Sequence, residues 1–590
     1  MRVLHCYGLI VAGLRSLPKI NRFDVSSDRP ATPIAATPLD QVAQLLITLD
    51  SHKQAWTQTS IADRLVYLHY CVDGVMTVAE PWAIAANIAK GIDPQSSLAG
   101  EDWLTGPVAI LLMLQGLIKT LEAGGQLKPP AIASRPNGQL VAQVFPDNWM
   151  DRLMWLGFKG EVWIQPDQPA TQGKIYRQNL QPNLQQGVVS LVLGAGNVSA
   201  IAALDSLHKL FAENQVVLLK MNPVNAYVGE FLEKALQPLI QAGFLAIVYG
   251  DAELGRYLCQ HPQIETIHIT GSHHTHDAIV WGSTLEEQQQ RKAAQNPALT
   301  KPITSELGCV TPILIVPGNW SAGDIAFQAR QVASMVAHNA SFNCVAAKVV
   351  ITASGWQQRD EFLHQLHQAL AASPSRKAYY PGAQDRYQAF LAYYPQAIAL
   401  GISTEDSIPW TVIPNVPPHA DEYALQTEAF CGVLAEVTLE AADAKDFLAK
   451  AIPFINESVW GNLSCVLLID PKTQRRDQTE LDEAISQLHY GAIGINVWTG
   501  MMFMLAGATW GAFPGNPLDN IRSGRGIVHN AYLFDHPQKT VLYAPFRIFP
   551  TPTWFADHKN LRQVAMRYAN LIAKPSLDKF LSVVLAALTG

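Results

Sequence analysis

At 590 residues, with 48% hydrophobic and 15% charged side chains, the chain exceeds the usual size of one domain and is excluded from the disordered class. A formal net charge of -7 leaves no basic footprint, so nucleic acid is not an expected partner. The seven cysteines Cys6, Cys71, Cys259, Cys309, Cys344, Cys431 and Cys465 form no C-x-x-C pair, which points to reduced thiols in a cytoplasmic setting and away from a disulfide frame or a zinc site.

Residues 1–40 read as an N-terminal arm. The apolar run Leu9–Leu14 is too short for a signal peptide core and lacks a small-residue cleavage site, and no uninterrupted apolar stretch nears the ~18 residues needed to span a bilayer. From Asp40 to Gly124 the apolar spacing is helical, with Val42, Leu45, Leu46 and Leu49, then Ile61, Leu65, Leu68 and Val72, then the run Ala109 to Leu121. Asn137-Gly138 ahead of the alternating Gln139 to Phe145 is a hairpin signal, and a second strand is expected over Gly160 to Gln165.

From Gly187 short apolar runs alternate with helical ones. Val188 to Leu193, Val216 to Lys220, Leu245 to Tyr249 and Ile264 to Thr270 are separated by Ser199 to Ala212, Ala226 to Ala242 and Leu254 to Gln260. This alternation predicts a parallel sheet covered on both faces. Gly194-Ala-Gly196 after a strand is half of a dinucleotide fingerprint. Residues 284–300 form a polar insertion. A second α/β unit follows, with strands over Pro312 to Val316 and Val349 to Thr352 and helices over Ile325 to Ala340 and Gln357 to Ala371. Near the end, Thr540 to Arg547 is strand-like and Leu561 to Leu588 helical.

Cys344 lies in the loop His338-Asn-Ala-Ser-Phe-Asn-Cys344, between a helical run and a β-branched run, where a thiol nucleophile is accessible. Glu306, at the end of an extended run with Gly308 beyond it, is a candidate base. Each has a plain alternative, a small buried hydrophobe and a solvated acid. His273, His274 and His276 place no pair at i, i+4 and predict no metal site.

Taken together, Asn197 in Gly-Ala-Gly-Asn-Val, Lys220 in Leu-Leu-Lys-Met-Asn-Pro, Ile269-Thr-Gly-Ser272, Glu306-Leu-Gly, Phe342-Asn-Cys344, Glu428-Ala-Phe430 and Asn496 resemble, in order and spacing, the aldehyde dehydrogenase superfamily over roughly residues 60–545. The resemblance implies two Rossmann-like doubly wound α/β domains: a helical lead-in and dinucleotide-binding domain at 41–301, carrying a β-hairpin oligomerisation element near 130–170, a catalytic domain at 302–525, and an oligomerisation strand with a helical extension at 526–590.

The resemblance further implies NAD- or NADP-dependent oxidation of an aldehyde by a homodimer or homotetramer. Its hairpin strands would join a partner subunit's sheet, or else pack on their own domain. Cys344 is then the nucleophile, Glu306 the base and Asn197 an oxyanion donor, although Asn197 also suits a helix N-cap. Lys220 and Asn222 would meet the adenosine ribose, Gly271 and Ser272 the pyrophosphate, and Glu428 and Phe430 the nicotinamide ribose and ring.

Met221-Asn222-Pro223 stands where many members place an acid toward the ribose 2'-hydroxyl, which opens the site to NADP. His276 replaces a usual glycine. The aromatic, Met-rich run Asn496 to Gly515 suits an apolar aldehyde, and packing accounts for it equally well. Retention of Glu306 favours hydrolysis over transfer to coenzyme A; an acyl reductase and a non-catalytic scaffold are the other readings.

Overall fold

The computed structural model describes residues 34–177 and 186–590; most of the expected N-terminal arm, with Cys6 and Leu9–Leu14, lies outside the described residues. The strands, in chain order, are β1 (Ala131–Ser134), β2 (Leu140–Phe145), β3 (Lys159–Ile164), β4 (Val189–Leu193), β5 (Val216–Lys220), β6 (Leu245–Val248), β7 (Thr266–Gly271) and β8 (Ile303–Leu307). They continue as β9 (Thr311–Ile315), β10 (Ala347–Ala353), β11 (Ile398–Leu400), β12 (Trp410–Val416), β13 (Val433–Leu439), β14 (Ser464–Leu468), β15 (Ala492–Ile495), β16 (Gly524–Arg525) and β17 (Pro537–Tyr543).

Two sheets result. The first runs β16-β8-β7-β4-β5-β6 and is parallel except where β16 pairs antiparallel with β8. Its strands are short and almost wholly buried, as a sheet covered by helices on both faces requires. The helical lead-in packs on this unit, Trp56 donating its indole N–H to Leu210 O at 3.1 Å.

The second sheet has 11 strands, ordered β1-β2-β3-β17-β15-β14-β9-β10-β13-β12-β11. In this chain β3 pairs antiparallel with β17, and β17 pairs parallel with β15. The strands near 130–170 therefore extend the chain's own second sheet.

Other departures have local causes. The helix expected to reach Ala340 stops at Ala337, because Asn339, Ala340 and Ser341 take left-handed φ of 53°, 55° and 66°. The run 561–588 divides into Leu561–Ala573 and Leu577–Ala587 around Pro575. Ser97–Glu122 is long and apolar enough to cross a membrane, at a mean hydropathy of 1.6, a stretch the sequence expectation passed over. It is kinked at Gly106-Pro107, and 67% of its apolar window is buried inside the protein.

Candidate active site

The C-terminal ends of the first sheet's strands open into one cleft of about 1020 Å3, larger than most small-ligand sites. Lys220, Asp251 and Arg256 stand at one end of it; Gly194, Asn197 and Gly271 line its middle; Glu306, Cys344 and Glu428 close the inner end. All nine sequence-expected site residues border this cleft.

Cys344 is half-buried; its thiol donates to Asn343 Oδ1 at 3.8 Å and lies near the Glu306 carboxyl. Burial, with the acids Glu306 and Glu428 nearby, pushes the thiol well above its ordinary pKa, so the resting group is S–H. Burial likewise raises Glu306 to about 8, with Asp205 and Glu428 adding to the rise, and Glu428 to about 7. Thiol and carboxyl form a pair across which one proton can pass.

The left-handed turn before the cysteine is held from two sides. Lys348 Nζ donates to Ser341 O and Oγ, both at 3.2 Å. Asn339 Nδ2 donates to Phe342 O at 2.9 Å and to Asn197 O at 3.0 Å, while the Tyr379 hydroxyl donates to Asn197 O at 2.9 Å. Behind it lies a buried charged group: Arg376 pairs with Glu101 at 2.9 Å, and Lys90 with Asp102 at 2.5 Å. Glu101 is lowered to about 2, since Arg376, His338 and Lys90 outweigh the cost of burying its charge.

Asn197 is not a helix N-cap. The N-cap of Ile201–Phe211 is Ala200, with no side-chain cap bond. Instead Asn197 Nδ2 donates to Phe342 O at 3.0 Å, which leaves one amide hydrogen for the cleft it lines.

Glu428 Oε1 is buried without a partner, and Oε2 would stand 1.8 Å from a Cβ at position 308, so only glycine fits after Glu306-Leu307. Phe430 sits in a left-handed φ of 42°, beside Tyr380 (ring centroids 5.0 Å) and Phe342 (5.8 Å). Arg386 fixes this turn by donating to Ala429 O and Phe430 O. Lys220 is buried, and burial lowers its pKa. Asn222 spends its Oδ1 as the cap of Pro223–Val228, and Ser272 Oγ caps His273–Val280 by accepting from Thr275 N.

Some sequence signals land elsewhere. Asn496 is buried and bonded twice to Ile469, tying two strand ends together away from the cleft. His276 is fully buried beside Asp277, and His273 lies against Trp460 with ring centroids 4.6 Å apart. The short strand β16 pairs with β8, Gly524 opposite Glu306, and steadies the strand that carries that acid. The Met-rich run closes a pocket of only about 10 Å3, lined by Met113, Met502, Phe503, Trp510 and His529 among others. Trp498 instead holds the nucleophile loop, donating to Val345 O at 2.8 Å.

Comparison with known proteins agrees with this geometry. Residues 176–384 match the aldehyde dehydrogenase family, a span that contains Asn197, Lys220, Glu306 and Cys344. Over that span, 209 of its 590 residues, the chain is similar to the aldehyde dehydrogenase family.

Its fold is that of solved aldehyde dehydrogenase structures. A glyceraldehyde-3-phosphate dehydrogenase of Methanocaldococcus jannaschii in complex with NADP superposes with TM-score 0.58 and 13% identity, over 89% of this chain and 99% of that one. Lactaldehyde dehydrogenase from Escherichia coli gives TM-score 0.58 and 16% identity, over 86% and 92%. Among curated proteins, FUS7 of Gibberella fujikuroi, provisionally an aldehyde dehydrogenase, is 25% identical over 309 residues, 50% of this chain and 60% of FUS7. The match thus spans well under two thirds of that relative's length.

Proposed function

We propose that this chain is an aldehyde dehydrogenase that oxidises an aldehyde to its carboxylic acid with NAD or NADP, through a thioester on Cys344. The observation that carries the reading is the Cys344 thiol and the buried Glu306 carboxyl lining one cleft of about 1020 Å3 together.

The cleft fits a dinucleotide. Glu428 Oε1 is an orphaned acceptor at its inner end, and a Cβ at Gly255 would stand in open space within it. Lys220 and Asn222 would hold the adenosine end, Gly271 and Ser272 the pyrophosphate, Glu428 and Phe430 the nicotinamide end. When bound, the oxidised nicotinamide supplies the hydride acceptor.

The chain's own residues do the rest. Glu306 takes the thiol proton, the sulfur adds to the carbonyl carbon, and Asn197 Nδ2 and the Cys344 N–H stabilise the oxyanion. Once Glu306 has released that proton to solvent, it takes one from the water that adds to the thioester and returns it to Cys344 as the sulfur leaves. Asn197→Ala is expected to lower kcat by about 10²- to 10³-fold with dinucleotide affinity unchanged, as stopped-flow absorbance and fluorescence titration would read.

Retention of Glu306 places hydrolysis ahead of transfer to coenzyme A, and product analysis with and without coenzyme A separates the two. Lys220 and Arg256 line the cleft, Lys220 beside Asp251, and two cations there suit the added phosphate of NADP. Arg256→Ala is expected to weaken NADP binding by about tenfold or more and NAD binding little, because a charged hydrogen bond is worth about 1.5–3 kcal/mol. Calorimetric titration of both dinucleotides checks this.

A homodimer or homotetramer in the cytoplasm belongs to the same proposal, and the mass in solution reads the assembly.

A further inference from the structure

One buried carboxylate has no part in the chemistry above. Glu101, 5% exposed, stands on the short helix Gly100–Trp103 of the helical lead-in, and Arg376 reaches it from the segment between the helices Arg359–Ala372 and Ala383–Tyr393. The guanidinium donates with both arms, Nη1 to Oε1 at 3.1 Å and Nη2 to Oε2 at 2.9 Å. Lys90 and Asp102 pair beside them, and all four side chains are buried. Burial strips water from every one of these charges, and apolar side chains of the same volume often hold a fold as well or better. Stability alone does not call for the pair.

What Glu101 holds is the turn before the nucleophile. Asn339, Ala340 and Ser341 are three successive non-glycine residues in the left-handed region, a conformation that persists only where its surroundings fix it. The Asn339 N–H donates to Glu101 Oε2 at 3.3 Å, a long bond strengthened by the charge on its acceptor. Burial opposes that charge, and Arg376, His338 and Lys90 outweigh it, so the acceptor is a carboxylate.

From Asn339 the hydrogen bonds close on the oxyanion donor. Asn339 Nδ2 spends both its hydrogens, on Phe342 O at 2.9 Å and on Asn197 O at 3.0 Å, and Asn197 Nδ2 returns to Phe342 O at 3.0 Å. The single hydroxyl hydrogen of Tyr379 is shared between Asn197 O (2.9 Å) and Asn339 Oδ1 (3.1 Å). Tyr379 stands three residues after Arg376, so one segment clamps the ring of bonds at both ends. Every amide hydrogen of the two asparagine side chains is spent but one, and that one is on Asn197.

We propose that Glu101, clamped by Arg376, is a positioning residue of the oxyanion site: it anchors the Asn339 N–H, the Asn339 amide orients Asn197, and Asn197 Nδ2 and the Cys344 N–H stay aimed at one point. Glu101 touches no substrate, and no proton passes through it. The inference rests on the oxyanion role proposed for Asn197.

The test compares two reactions of the Cys344 sulfur with no dinucleotide present. 4-Nitrophenyl acetate acylates it through an oxyanion, and iodoacetamide alkylates it by displacing iodide, with no oxyanion formed. Both need the thiol to lose its proton, so their ratio reads the oxyanion site alone. Stopped-flow absorbance of nitrophenolate follows the first, and peptide mass at Cys344 the second. Glu101→Gln is expected to slow acylation about ten- to a hundredfold and alkylation by less than about twofold. Glu101→Gln combined with Asn197→Ala is expected to acylate no more slowly than Asn197→Ala alone, because both changes remove one interaction. Should the single variant not fold, Glu101→Leu paired with Arg376→Met removes both charges together, strands neither, and carries the same comparison.

Acylation and alkylation slowing together, acylation left unchanged, or losses that multiply in the double variant would overturn the proposal. A wild-type protein that the ester acylates but that oxidises no aldehyde with either dinucleotide would remove the dehydrogenase reading, while the ratio of the two reactions still decides the role of Glu101.

Discussion

Cys344→Ala is expected to abolish aldehyde oxidation, by at least about three orders of magnitude in kcat, with dinucleotide binding retained. Among the described residues, Cys344 is the thiol that lines the cleft together with Glu306 and Glu428, while Cys309 is 0% exposed and lies in the core. Removing Sγ deletes the atom that bonds to the carbonyl carbon, and no neighbour can replace it. The turn that presents residue 344 is held by Asn339, Lys348 and Tyr379 and does not depend on the sulfur. Absorbance of the reduced dinucleotide measures the loss, and a fluorescence titration measures binding. Cys465→Ala, at a buried position on β14, is the matched control and is expected to keep activity. If Cys344→Ala turned over at more than a few per cent of wild type, the covalent route would be wrong.

Glu306→Gln is expected to allow a first burst of reduced dinucleotide and then stall, with deacylation slowed by about 10²- to 10⁴-fold. Intact-protein mass would show the acyl adduct. The pH dependence follows from the burial that raises Glu306 to about 8. Only the carboxylate serves as a base, so the steady-state rate of the wild type should climb nearly tenfold per unit below pH 8 and level off above it. Buried Glu428, at about 7, adds a second inflection in dinucleotide binding. In Glu306→Gln the climb through pH 8 should vanish. A flat profile in the wild type would mean that another step limits turnover.

The parts of this molecule legible in its sequence are those with a local signature. The β-branched runs from Gly187 onward gave the parallel strands, because a strand buried on both faces is apolar at every position. Cys344, Glu306 and Asn197, the proposed nucleophile, base and oxyanion donor, stand out through the motifs of the resemblance, and the structure adds why Asn339 and Gly308 flank them: left-handed and crowded backbone.

Pairings across long stretches of chain were not legible. The union of Glu101 with Arg376, and of Asp205 with His268 and His529, leaves no trace in spacing. Each partner alone reads as an ordinary surface charge. The same limit left the hairpin's destination open, since β3 and β17 are more than 370 positions apart. It also hid the tight packing of the Met-rich run, where composition announced apolar walls but not the space between them.

That pairing of β3 with β17 governs how the molecule is made. The strand Pro537–Tyr543 is the bridge between β15 and the hairpin, so the larger sheet stays in two pieces until residue 543 has left the ribosome. During synthesis at about 5–20 residues per second, the edges of β3 and β15 wait unpaired for many seconds, exposed to other nascent chains. Folding in the cell should therefore depend on chaperone shielding of those edges, and a nonsense mutation anywhere before Pro537 should yield aggregate and not a shortened enzyme.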